Sequence, residues 1–454
     1  MPGETLGPIL ATGAAVAALL LLVLRARLPA FLALILVSLL FGISVGMAPE
    51  AVLGAVREGV GGTLGFVAVV VGLGAMMGAL LEASGGIDAI SGRILSRFGP
   101  KRAPAALTLI GLLVSIPVFF DVALIILLPV LVGLRQKTGR PLIAFAIPLL
   151  AGLAVAHAFV PPTPGPIAVA DILGAELGLV MLFGLIAGLP AALVGGPLLA
   201  AILARSSAFE GEASPVPAAS GSGGRAPDPA GFLDALLVIL VPVFLILLAT
   251  ALTGFAPDAQ DGILGQVILF IGHPFSALTI ACLFGWWRLG RARGMPAADL
   301  QAAMARALEP AGLVVLVTGA GGAFKQVLVD SGAGAALAAS LQAASVPLLL
   351  FGFVTAGIVR LAQGSATVAM VTAAGLAAPV VQTAGVPAPQ VALLVIAIAS
   401  GASLTSHVND SGFWLVSRYL GLTEAQTLRS WTVCTTLIGL VGFLVASLLG
   451  LLIG

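Results

Sequence analysis

Apolar runs long enough to cross a bilayer recur along this whole sequence, and several are interrupted by prolines, glycines or acids. A hydrocarbon core needs roughly 20 helical residues. Stretches that meet this length lie near 7–24, 28–47, 60–81, 141–158, 177–204, 232–254, 263–287 and 432–453. Apolar residues make up 60% of the 454 and charged residues 9%, against about 25% charged in soluble domains. With 20 basic and 19 acidic side chains the net charge is +1, too little to cover a soluble surface of this size or to attract nucleic acid. The pattern predicts an all-α, polytopic membrane protein.

Local signals refine the topology. The 58 glycines and 29 prolines sit within apolar runs, where small residues let membrane helices pack closely. No basic region precedes the first apolar run, and Arg25 and Arg27 follow it, which predicts a retained span with the N-terminus outside. Cys282 and Cys434 are far apart and lack CxxC spacing, so they read as packing residues without a disulfide or metal role. The stretch 205–231, with Glu210, Glu212, serines, glycines and prolines, reads as a flexible connector between an N-terminal half, 1–204, and a C-terminal half, 232–454.

Segment 103–134 is too long for one ordinary span and is interrupted by Pro117 beside Asp121. Basic clusters flank it: Arg93, Arg97, Lys101 and Arg102 before, Arg135, Lys137 and Arg140 after. If both clusters are cytoplasmic, the segment enters and returns as a hairpin or re-entrant element. A faint repeat supports paired breaks. A shift of 248 positions takes Ile116 to Gly364 and Pro161 to Asn409, superposing the proline-rich interruptions of the first half on the polar ones of the second. Paired broken segments are the usual sign of a midmembrane transport site.

Four segments carry the chemistry. Asp121 is a carboxylate within an apolar run, where ionisable groups usually serve an ion path, although a shallow capping position is the alternative. The run His157–Pro166 holds four prolines and cannot continue as helix; its free backbone, with Thr163 and Gly165, can bind an ion or anion. The AQGSAT segment offers Gln363, Gly364, Ser365 and Thr367, and the SHVNDSG segment Ser406, His407, Asn409, Asp410 and Ser411. Their hydroxyls and amides suit a polyhydroxy acid. Asp121, His157, His407 and Asp410 are the candidates for carrying a proton. Arg360 either joins this lining or snorkels to an interface, and Lys325 either faces a substrate carboxylate or anchors its span. No GxxxxGK[ST] or HExxH pattern occurs, so neither an enzyme nor a nucleotide-driven pump is expected, and no metal or cofactor.

GLGAMMGALLEASGG at 72–86, IGLLVSIPVFFDVALIILLPV at 110–130 and AGLAVAHAFVPPTPGP at 151–166 resemble the gluconate permease family of bacterial carboxylate symporters. The likeness continues through GAGGAFKQVLVDSG at 319–332, RLAQGSATVAM at 360–370 and SHVNDSGFWLVSRYLGLTEAQTLRSWTV at 406–433. The resemblance implies a multi-pass transporter of the bacterial cytoplasmic (inner) membrane, with two inverted repeats, broken transmembrane helices and re-entrant hairpins, working as a homodimer among membrane lipids. Its partners are then a proton and a small organic acid, gluconate or a related sugar acid, with D-serine, glycerate or another small carboxylate as the alternative. Two departures stand out. Asp121 replaces the glutamate found in many members, and Thr163 replaces a histidine, while His157 is retained.

Overall fold

In the computed structural model the described residues are 2–206, 209, 231–333, 336, 346–408 and 410–453, and those in regular structure are helical. The connector expected at 205–231 lies largely outside them. The first half comprises α1 (Pro2–Leu24), α2 (Ala30–Ser44), α3 (Pro49–Ala83), α4 (Gly86–Phe98), α5 (Ala103–Val114), α6 (Phe120–Thr138), α7 (Ile143–Phe159), α8 (Pro164–Leu173) and α9 (Leu177–Leu203). The second comprises α10 (Phe232–Phe255), α11 (Ile263–Gly272), α12 (Pro274–Arg293), α13 (Ala297–Asp330), α14 (Leu348–Gln363), α15 (Ala366–Ala384), α16 (Ala388–Ala402), α17 (Ser411–Leu420) and α18 (Glu424–Ile453).

The 248-residue register reappears in the element order. It carries the start of α3 at Pro49 onto the start of α13 at Ala297. The interrupted pairs α5–α6 and α7–α8 fall on α14–α15 and α16–α17, and α9 falls on α18. Each interruption occurs where the sequence supplies helix-breaking groups. Ser115–Phe119 contains Pro117, Gly364 takes φ +84° at the end of α14, and the break before α8 contains the cis Pro161–Pro162 bond.

Among the described residues, seven helices are long and apolar enough to cross a membrane, or eight if α11 and α12 count as one span. The structure departs from the sequence reading at several places: the run 28–47 gives only the 15-residue α2, and α15, not among the expected spans, is long and apolar enough to cross. The run 263–287 bends by 68° between α11 and α12, because His273 leaves the helix to cap α12 and Pro274 removes an amide. The polar residues of α13 hide a further span, Ala297–Asp330.

Burial separates the centre from the periphery. The α7–α8 window is 89% buried within the protein and that of α15 78%, whereas the windows of α10 and α18 are 28% and 22% buried. The interrupted helices therefore form the core, and α10 and α18 present leucine-rich surfaces of the kind that face lipid. The two halves join where α3 crosses α13. A Cβ on Gly59 would lie 2.3 Å from the carbonyl oxygen of Gly322, closer than any side chain permits, so glycine allows these backbones to touch.

Candidate functional site

The first-half interruptions meet at one cavity. Its walls include Pro117 and Phe119 from the break after α5, His157 from α7, Pro162 and Thr163 from the break before α8, and Gly74 from α3. Gly78, one turn further along α3, seats the break: a Cβ there would stand 2.2 Å from the carbonyl oxygen of Pro117. Thr163 is buried and donates its hydroxyl to the carbonyl of Val160 at 2.7 Å. The Phe119 ring faces the His157 imidazole with centroids 6.5 Å apart, and His157 Nδ1 is buried without a hydrogen-bond partner. Asp121 lies exposed in the first turn of α6, within electrostatic reach of His157. Thr163, Asp121 and His157 thus form one neighbourhood. Gly165 packs its backbone toward the second half, where a Cβ would lie 2.6 Å from Met370 Sδ.

The second-half interruptions meet through a buried polar network. Arg360, in the last turn of α14, donates Nη1 to the carbonyl of Gly364 and Nη2 to Asp410 Oδ2. Asp410 Oδ1 accepts the Gly412 amide at 3.1 Å and so caps α17. Ser406 donates its hydroxyl to Asp410 and accepts the Trp431 indole N–H at 2.7 Å. Its carbonyl accepts from Thr432, and its amide donates to Thr435 Oγ1 at 3.1 Å. A π-helical turn at Leu428–Thr432 delivers Trp431 and Thr432 to this point. Thr405, beside Ser406, holds φ 45°, a left-handed conformation uncommon outside glycine.

The other predicted residues surround this network. Ser365 Oγ caps α15 by accepting the Val368 amide at 3.4 Å, which leaves its hydroxyl proton available. Thr367 is half-buried in the same first turn, and Gln363 Oε1 is buried without a partner. His407 Nδ1 lies 3.0 Å from the Thr405 carbonyl, and Ser411 is exposed at the start of α17. Asn409 lies outside the described residues.

The two neighbourhoods touch. The Phe120 ring, next to Asp121, lies 5.3 Å from that of Trp431, and Gly165 meets Met370 on the opposite side of the joint. The cavity itself is lined by first-half residues, His157 among them, and the second-half polar network adjoins this neighbourhood through these contacts. Sequence reasoning weighed Arg360 as an interface anchor, but it is 5% exposed and ion-paired. It passed over Trp431, which carries no charge or helix-breaking signal.

The sequence matches the family described as GntP family permease over residues 7–452. It is 41% identical over 441 residues to the low-affinity gluconate transporter of Escherichia coli K12, covering 97% of this chain and 98% of the relative. It is 37% identical to the gluconate permease of Pseudomonas aeruginosa over 96% of each chain. Identity to the Gnt-II system L-idonate transporter of Escherichia coli K12 is 36%, over 96% of this chain and 98% of the relative. Among solved structures, the YdaH transporter of Alcanivorax borkumensis superposes with a TM-score of 0.64 at 20% identity, over 93% of this chain and 98% of that one.

Proposed function

The chain belongs to the GntP permease family, and on that premise we propose that it imports gluconate or a closely related sugar acid together with protons. The family is one of transporters, and secondary transport of a gluconate-like small carboxylate with proton coupling is its shared activity. The observation that carries the finer reading is the meeting of four helix interruptions, two from each half, around polar groups at the most buried part of the bundle. Such breaks free backbone groups where no water is available to satisfy them, and a transported polar molecule can do so.

In this reading the Gly165 amide at the start of α8 and the Ala366 and Thr367 amides at the start of α15 hold the carboxylate, aided by the positive ends of those helices. Ser365, Thr367, Thr163, Gln363 and Asn409 recognise hydroxyls, with Gly165 and Gly364 allowing close approach. Ser406, Asp410 and Ser411 shape the break before α17, since the Ser406 hydroxyl proton and both Asp410 oxygens are already engaged. Asp121 and His157 admit the proton at the cavity and pass it inward, and His407 is a further candidate on that path. Binding of proton and acid together favours a change in which side the site faces. The pairs α5–α6 and α14–α15 are re-entrant, the two halves are inverted repeats, and the protein works as a homodimer in the bacterial cytoplasmic membrane.

The test is uptake of radiolabelled gluconate into proteoliposomes with an alkaline lumen. Accumulation above the external concentration, abolished by a protonophore, supports the proposal. Stronger accumulation of D-serine or glycerate with no uptake of gluconate reassigns the substrate, and no gradient-driven uptake of any of them refutes the reading.

A further inference from the structure

Asp171 is an intramembrane carboxylate that belongs to neither interruption. It lies six residues beyond Gly165 on α8, hence about 9 Å further along the helix at roughly 1.5 Å per residue. Thr63 on α3 and the charge of Lys325 on α13 both act on it electrostatically. These helices meet beside the Gly59–Gly322 crossing, where Thr63 Oγ1 stands 2.3 Å from the position of a Cβ on Gly322. A Cβ on the adjacent Gly321 would meet Val371 of α15 at 1.9 Å and Ile172 of α8 at 3.6 Å. A carboxylate from one half and an ammonium from the other are therefore set across the joint that alternating access must work.

The helices packed on α8 carry few other charges. On α3 these are Glu50, Arg57, Glu58 and Glu82; on α13 Asp299, Arg306, Glu309 and Asp330 accompany Lys325; α7 carries His157; and α9, α15 and α16 carry none. Of these groups Lys325 is the one whose charge acts on Asp171. Both residues are half-buried, which leaves each open to exchange on one side.

We infer that Asp171 and Lys325 are the charge-balancing pair of the transport cycle: Asp171 holds the coupled proton while substrate is bound, and the substrate carboxylate then serves as counter-charge to Lys325. This rests on the reading of the protein as a proton-coupled carboxylate importer. In the empty site, ammonium and carboxylate sum to zero. An entering organic anion alone leaves one uncompensated negative charge and a proton alone one positive charge, both costly away from water. Together they restore zero. The proton joins a carboxylate oxygen of Asp171 from the outer solution and leaves to the inner one, and no bond in the substrate changes. At about 10 Å and an effective dielectric near 20, one such charge changes anion affinity by about tenfold. Because both the empty and the loaded sites are neutral, a singly charged acid moves with no net charge.

The probe is radiolabelled gluconate in proteoliposomes of wild-type protein and of Asp171→Asn. The neutral amide mimics the protonated acid, so Asp171→Asn should still exchange internal for external gluconate, at a rate nearly independent of pH between 6 and 8. It should also lose at least nine-tenths of the accumulation driven by a pH gradient. Wild-type exchange should fall as pH rises. Accumulation by Asp171→Asn within twofold of wild type overturns the inference, as does folded variant protein without exchange. An independent arm uses wild-type protein alone: a potassium diffusion potential at equal pH should drive no accumulation, and accumulation driven by potential alone contradicts the neutral cycle whether or not the variant folds. If wild type itself fails to accumulate gluconate under a pH gradient, the transport reading fails instead.

Discussion

Arg360 and Asp410, separated by 50 residues in sequence, form a buried ion pair that fastens the end of α14 to the start of α17. The guanidinium also holds the Gly364 carbonyl, and the carboxylate caps α17 through Gly412. One pair of side chains thus satisfies backbone groups released at two helix interruptions.

Arg360→Met strands Asp410 in a buried site. Loss of one partner from such a pair costs about 3–5 kcal/mol, so the thermal unfolding temperature of the detergent-solubilised protein should fall by several degrees. Asp410→Asn keeps an acceptor for the Gly412 amide and should destabilise less. A variant order reversed from this in thermal scans contradicts the pairing.

Gly78→Ala should impair transport more than Gly62→Ala, although both lie on α3. A Cβ at Gly78 would meet the Pro117 carbonyl oxygen at 2.2 Å, whereas nothing lies within 4 Å at Gly62. Overpacking of this kind costs about 1–3 kcal/mol, taken up by displacement of the break that lines the cavity. Initial rates of gluconate uptake at matched protein content measure the difference, with at least a fivefold loss expected for Gly78→Ala and less than twofold for Gly62→Ala.

Trp431→Phe preserves a ring beside Phe120 but removes the donor to Ser406. An unpaired buried acceptor costs about 1–3 kcal/mol, and the loosened Ser406 should raise the KM for gluconate while leaving the maximal rate within threefold. Equal effects on KM and rate would place Trp431 in the conformational step instead.

Asp121→Asn should slow proton-driven uptake at least tenfold, because it removes the charge nearest the His157 imidazole. His157→Gln should slow it similarly, and the double variant should be no slower than the worse single one if the two act in series. Additive losses argue for separate roles.

The interruptions were legible in the sequence because their signals are local. Pro117, the prolines after His157, and the Gly364-Ser365 pair are helix-breaking signals that can be read in place, and the 248-residue register united them. The bend at His273 was missed because its flanks are uniformly apolar, and the α13 span because Lys325 and Gln326 lower its apparent hydrophobicity. Partnerships were not legible. The register takes Leu112 onto Arg360 and Pro162 onto Asp410, so the repeat gives no hint of that ion pair. Asp171 meets Thr63 and Lys325 only through packing of distant helices. Its charge within an apolar segment was the available signal.

The central claim is that gluconate and a proton cross together. It is tested most directly by imposing an inward gluconate gradient on proteoliposomes at equal internal and external pH, with a pH-sensitive dye in the lumen and label entry measured in parallel. The account predicts acidification of the lumen that tracks gluconate entry and vanishes in liposomes without protein. Gluconate entry at an undiminished rate with no change in internal pH would contradict it.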